Sequence, residues 1–141
     1  DESSFKNLRS KIIIFCKKHG QFTQQAGRHL ERDCPRCKNN ISKKETLWLN
    51  SLNIPEIYRN YNLKLGSIYK NVDAYDPNTN TVYEFHGDFW HGNPKVYKSD
   101  HINKVTNKTF GEMYKKSKAK DELIISFGFN LIIMWESDFK N

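Results

Sequence analysis

The stretch Val82-Tyr83-Glu84-Phe85-His86-Gly87-Asp88-Phe89-Trp90-His91-Gly92-Asn93-Pro94 decides the reading of this chain. Its apolar, aromatic opening predicts a strand. Within eight positions it then presents Glu84, His86, Asp88 and His91. Packing alone does not account for that density, because an unpaired carboxylate among Val82, Tyr83 and Phe85 is costly to bury. Hard oxygen ligands beside imidazoles are what magnesium-dependent hydrolysis of a phosphodiester requires. Just upstream, Asp76-Pro77-Asn78-Thr79-Asn80 is dense in turn formers, so residues 71–75 and 81–86 are expected to pair as an antiparallel hairpin. The hairpin brings Asp73 and Glu84 together at its open end, where two carboxylates and a nearby backbone carbonyl can hold a divalent cation. Residues 87–94 read as a loop in which Trp90 orients His91 and Asp88 has no chemical role.

Working outward, residues 41–53 are expected to be helical. Ser42 and Glu45 have the spacing of a capping box, and Leu47, Trp48, Leu49 and Leu52 supply an apolar face. Residues 61–65 form a further candidate strand. A second helix is expected over 109–127, with Met113, Leu123, Ile124 and Phe127 toward the core and Gly128 ending it. Residues 129–135 (F-N-L-I-I-M-W) read as a buried strand, and a helix between two strands of one sheet implies a crossover. The order of elements defines an α/β domain over residues 41–141. Its least structured part is the basic, polar stretch 95–108, which could order on a nucleic acid.

The formal net charge of +7 favours a polyanionic partner. The charge is uneven: residues 6–44 hold eleven Lys or Arg against two acids, and residues 101–120 hold six Lys against one. Two basic zones flanking a less basic middle suit a nucleic acid laid across both, with Lys43, Lys104 and Lys108 among the phosphate contacts. No apolar run approaches a membrane span, and no secretory signal is recognisable. The first residue is Asp1 rather than Met, so a longer chain with further domains is expected.

Three cysteines argue against a disulfide framework and for thiolates kept reduced inside a cell. All three fall in one pattern. Cys16-Lys17-Lys18-His19 is followed, after fourteen residues, by Cys34-Pro35-Arg36-Cys37. Two pairs with two-residue gaps can set three thiolates and one imidazole around a tetrahedral zinc. The run Lys11-Ile12-Ile13-Ile14-Phe15 reads as a strand delivering Cys16, with a hairpin between the pairs. A module this short (residues 1–40) would owe most of its folding energy to the metal.

Cys16 to Cys37, read as C-x-x-H-G-x-F followed by H-x-x-x-x-C-P-x-C, resembles the treble-clef or zinc-knuckle units beside phage-type endonucleases. That resemblance implies DNA contact by Arg28, Arg32 and Arg36 rather than catalysis. Over residues 42–139, Asp73, V-Y-E-F-H-G-D-F-W-H-G and G-F-N-L-I-I-M-W-E together resemble the PD-(D/E)xK nuclease superfamily. The nearest branch is that of the Vsr-type mismatch endonucleases and the EDxHD homing endonucleases. The implied fold is a restriction-endonuclease-like mixed sheet flanked by helices, and the implied activity is Mg²⁺-dependent cleavage of DNA, double-stranded foremost. By position, Glu45 falls on the family's helix acid, Asp73 on its strand aspartate and Glu84-Phe85-His86 on its E-x-K segment, with the Phe85 carbonyl as a metal ligand. His91 falls on the family's general base, a role for which His86 competes.

Two departures stand out. His86 occupies the position of the E-x-K lysine. The aspartate expected on the second helix falls near Ser117, leaving Glu112 or Asp121 as possible partners of His91. The alternatives to an active DNA endonuclease are an inactive DNA-binding module on the same fold and a structure-selective or RNA nuclease. The expected setting is intracellular, in the cytoplasm, nucleoid or nucleus of a host cell, with a phage or viral origin and homodimerisation both left open.

Overall fold

A computed structural model describes residues 6–17, 20–31, 34 and 42–140. They divide between two compact units, one drawn from residues 1–42 and 55–57, the other from 43–54 and 58–141. The first unit is a hairpin followed by a short helix. Strands β1 (Lys11–Cys16) and β2 (Gly20–Gln25) pair antiparallel from Lys11–Gln25 to Cys16–Gly20. Ile12, Ile14 and Cys16 point to the half-buried side, while Lys11, Ile13 and Phe15 face out. Helix α1 (Ala26–Glu31) is tied back by the Gly27 amide, which donates to the Leu8 carbonyl at 2.8 Å. A Cβ at Gly27 would stand 3.1 Å from that same oxygen, so the approach favours glycine.

The second unit is a mixed α/β layer structure. Helix α2 (Lys43–Ser51) precedes β3 (Arg59–Leu65), β4 (Ile68–Asp76) and β5 (Thr81–His86). The chain then passes through the short helix α3 (Asp88–His91), a small hairpin of β6 (Ile102–Asn103) and β7 (Lys108–Thr109), the long helix α4 (Phe110–Ser126) and β8 (Asn130–Trp135). The sheet order is β3-β4-β5-β8, antiparallel up to β5 and parallel between β5 and β8. A parallel neighbour cannot be reached by a tight turn, which is why everything from α3 to α4 lies in one crossover.

Helices cover both faces of the sheet. Trp48, Leu49 and Ile54 pack with Ala74, Tyr83 and Phe85 on one side. On the other, Ile124 of α4 packs with Leu63, Leu65, Val72 and Val82. Strand β5, interior and covered twice, is buried along its whole length. A sheet faced on both sides gives continuous burial rather than alternation.

Local chemistry sets the boundaries. Asp76 accepts from the Asn78 amide (2.9 Å) and the Thr79 hydroxyl (3.0 Å), closing the β4–β5 turn where the sequence led us to expect it. Thr109 caps α4: its hydroxyl accepts from the Glu112 amide, and Glu112 accepts from the Thr109 amide at 2.8 Å. The T-x-x-E signal of this box is readable in the sequence, and it commits Glu112 to the helix terminus.

Three expectations are corrected. Phe127, assigned to the core, is 48% exposed because it sits past the last turn of α4. Strand β8 lies at the sheet edge, so Ile132 and Ile133 remain 45% and 36% exposed instead of buried. Residues 95–108 are organised by two buried asparagines. Asn93 accepts from the Lys95 amide, and Asn103 accepts from the Val105 and Thr106 amides while donating to the Phe89 carbonyl. Tyr97 stacks on Phe110 with ring centroids 4.1 Å apart. No helix of the described residues is long and apolar enough to cross a membrane.

Gly92 ends α3 in the left-handed region at φ 67° and lies against the first turn of α4, where a Cβ would collide with the Phe110 carbonyl oxygen. Gly92→Ala is therefore expected to destabilise the second unit by about 2–4 kcal/mol, combining left-handed strain with overpacking. Urea unfolding followed by tryptophan fluorescence measures it; a change within 0.5 kcal/mol, about the size of an ordinary surface substitution, would contradict the contact.

Candidate active site

The antiparallel ladder between β4 and β5 ends at Ala74–Tyr83. Continuing that register sets Asp73 opposite Glu84. Beyond the ladder, the Phe85 amide donates to Asp73 Oδ2 at 2.6 Å, so the carboxylate is fixed by backbone. Glu84 is 2% exposed, with Oε1 2.6 Å from Lys120 Nζ of α4 in an ion pair. Two acids and one ammonium thus meet between the middle of the sheet and the helix that covers it.

Burial dominates their protonation. It pushes Glu84 up to about 8, with repulsion from Asp73 adding to the effect and Lys120 opposing it. Asp73 is raised by burial too, against the pull of the Phe85 amide and Lys120. The lysine leaves one excess carboxylate charge uncompensated when both acids ionise.

His86, 1% exposed, ends β5 and stacks on His91 with ring centroids 4.3 Å apart and planes 8° from parallel. Its Nε2 lies 3.6 Å from Asp121 Oδ1 and 3.9 Å from Glu84 Oε2, and Trp135 presents an edge at 5.0 Å. Burial lowers His86 to about 3, helped by His91 and Lys120, and lowers His91 to about 4, helped by Lys120. Both rings are neutral near pH 7. Asp121 is buried as well, and desolvation raises it to about 6. Of the candidate partners for His91, Asp121 faces His86 instead, and Glu112 belongs to the cap of α4. The group beside His91 is Ser117, whose Oγ lies 2.9 Å from Nδ1.

His86, His91, Ser117 and Lys120 line a cleft of about 900 Å³ whose wall also carries Lys70, Lys108, Lys116 and Trp90, with Asp73 and Glu84 behind that wall rather than on it. Glu112 is the one acid on that wall. Glu45 occupies the first turn of α2. Its neighbour Lys44 pairs with Glu136 at 3.2 Å, and the Glu136 amide donates to the His86 carbonyl, so the start of α2 lies at the same end of the sheet as His86. Lys43 and Lys104 are exposed, the latter between β6 and β7 and away from the cleft wall. Asp88 accepts from Asn93 (2.6 Å) and Ser137 (3.2 Å), a structural tie between α3 and the end of β8.

Of the expected zinc ligands, Cys16 closes β1 and Cys34 is buried, while His19 and Cys37 lie outside the described residues. Arg28 is exposed on α1, and Arg32 and Arg36 also lie outside them. Among the described residues, no three His, Cys, Asp or Glu side chains gather as a metal cage.

Sequence reasoning missed Lys120 and the roles of Ser117 and Lys116. A signal existed: Met113, Ser117, Lys120 and Ile124 recur at spacings of four, three and four, the stripe of one helix face. Burial of Met113 and Ile124 on that stripe turns Ser117 and Lys120 toward the sheet.

A family profile described as a protein of unknown function (DUF723) matches residues 1–38. No curated protein and no solved structure matches the chain.

Between about pH 7.5 and 8 the histidines are neutral folded and almost wholly neutral unfolded, whereas folded Glu84 still holds a proton that the unfolded chain has released. The folded state then binds more protons, so stability falls as pH rises, by up to about 1.4 kcal/mol per unit for each proton. From about pH 6.5 downward the unfolded histidines bind protons that the buried rings refuse, which opposes that trend. Urea titrations without added Mg²⁺ should show stability falling from about pH 7.5 to 8, and Glu84→Gln should reduce that slope; an undiminished slope in that variant would remove Glu84 as its source.

Proposed function

We propose that the chain is a Mg²⁺-dependent DNA endonuclease of the PD-(D/E)xK type, resembling the Vsr-type and EDxHD enzymes, with a structural zinc in its front unit. The observation that carries the reading is the meeting of Asp73, Glu84 and Lys120 beside a lysine-lined cleft. Strand acid, E-x segment and an ammonium are the parts that superfamily uses, and Lys120 supplies from α4 the charge that His86 cannot carry at its position.

The donors fit magnesium. Asp73 and Glu84 are hard oxygen ligands on neighbouring strands, they repel each other, and one lysine offsets only part of their charge. Magnesium keeps several of its waters and needs one or two carboxylates from the protein, so the absence of a larger cage is no obstacle. Asp73, Glu84 and the Phe85 carbonyl would hold it, with Glu45 reached through water. When bound, the ion supplies Lewis-acid polarisation of the phosphate and a lowered pKa for coordinated water.

The chain's own groups do the rest. Lys120 offsets charge gathering on the phosphate oxygens. His91, neutral and on the cleft wall, takes the proton of the attacking water. His86, almost without exposed surface, holds the His91 ring by stacking and is the poorer candidate for base. Lys70, Lys108 and Lys116 bind flanking phosphates and make affinity salt-sensitive. In the front unit Cys16, His19, Cys34 and Cys37 would close a four-ligand zinc site, with Arg28, Arg32 and Arg36 on DNA.

Supercoiled, linear and branched DNA and RNA, each incubated with the protein and Mg²⁺, provide the test. DNA is expected to be cut, and Asp73→Ala to lower the rate by roughly 10²–10³-fold, the scale of losing one electrostatic stabiliser. Absence of cleavage on every substrate would sink the enzyme reading, and cleavage of RNA alone would change its substrate. Elemental analysis of the purified protein should find about one zinc per chain, lost in Cys34→Ser without a change in the tryptophan fluorescence of the second unit; a zinc-free, fully folded protein would refute the metal module.

A further inference from the structure

We infer that Ser117 is the positioning residue of His91: its hydroxyl holds the imidazole as the Nδ1–H tautomer and leaves Nε2 to accept the proton of the attacking water. The inference rests on the nuclease reading of this site. The tautomer itself follows from the bonds of one oxygen. Ser117 Oγ stands 3.2 Å from the Met113 carbonyl and 2.9 Å from His91 Nδ1. A carbonyl can only accept, so the single hydroxyl proton belongs to the Met113 contact. The Oγ lone pair then faces His91, and a hydrogen bond at that distance requires Nδ1 to carry the ring's proton.

The ring has little freedom to choose otherwise. Its plane is held by the His86 stack at 4.3 Å and by the edge of Trp135 at 6.5 Å. Its backbone is held by the left-handed Gly92, pressed against the first turn of α4. With plane and backbone set, the one bond from α4 decides which nitrogen is protonated. A serine does this without charge. A carboxylate at the same place would also favour the imidazolium, whereas the hydroxyl orients the neutral ring. Lys120, one turn further along the same helix face, already bears a positive charge toward this site, so a neutral partner suits a base that stays neutral.

Long-range ¹H–¹⁵N correlation spectra of the ¹⁵N-labelled full chain, without added Mg²⁺, read the tautomer directly, with His91→Gln identifying the signals. The expected wild-type pattern is a protonated Nδ1 and an unprotonated Nε2. Ser117→Ala should mix the tautomers, and Ser117→Thr, which keeps the hydroxyl, should restore the single form. In cleavage assays Ser117→Ala should lower kcat roughly 10-fold or more, a part of the 10²–10⁴ that a positioned base contributes. KM should be unchanged and Ser117→Thr should recover the rate. An Nε2–H ring in the wild type, or a tautomer indifferent to Ser117→Ala, overturns the inference whatever cleavage does. So does an active enzyme whose kcat ignores Ser117→Ala. The expected tautomers with no cleavage by any variant would uphold the Ser117 hold on His91 and overturn the nuclease reading instead.

Discussion

The contact between Lys120 and Glu84, 2.6 Å long and set between the central strand and the helix above it, is the constraint around which the second unit is arranged. A carboxyl group on a strand covered from both sides has no water to turn to, and a buried polar group left without a partner costs about 1–3 kcal/mol. The neighbouring Asp73 sharpens the problem, since its own charge pushes Glu84 further toward the neutral form. Helix α4 must therefore present Lys120 to the sheet, and in doing so it aligns Ser117, one turn earlier on the same stripe, with His91.

The crossover that delivers α4 also builds the other wall. A parallel β8 beside β5 forces a long connection, and that connection carries α3 across the mouth of the site. Gly92 lets α3 approach the start of α4 without a side chain between them. The buried Asn93 and Asn103 then tie the loop down through bonds that an apolar residue could not make. His86 and His91, at the ends of two different elements, come to stack because both elements stop at this crossing.

A burial-driven site of this kind departs from ordinary protonation on both sides. Carboxylates are raised and imidazoles lowered for one reason, desolvation of the charged form. The acids gain from any added positive charge, and the bases stay neutral beside Lys120. The lysines of the cleft wall extend the same positive field outward.

Much of this was legible in the chain. The Asp76–Asn80 turn, the hairpin strands around it, the extent of α4 and the convergence of Asp73 with Glu84 follow from local propensity and register, which act within a few residues. The crowded V-Y-E-F-H-G-D-F-W-H string was enough to mark where buried carboxyl groups and imidazoles gather. The exposure of Ile132 and Phe127, the order in residues 95–108, and the arrival of Lys120 and Ser117 were not legible in that way. Each depends on which strand is left at the sheet edge, or on which helix face meets the sheet. Those choices minimise buried charge and exposed apolar surface over the whole unit at once. A lysine thirty-six positions from Glu84 in sequence looks like any solvated lysine until the packing of Met113 and Ile124 turns it inward. The sequence by itself determined the strands, the turn and the pair of acids; the tertiary structure decided which cation answers them and which hydroxyl meets His91, because only packing brings distant helix positions within bonding distance of the sheet.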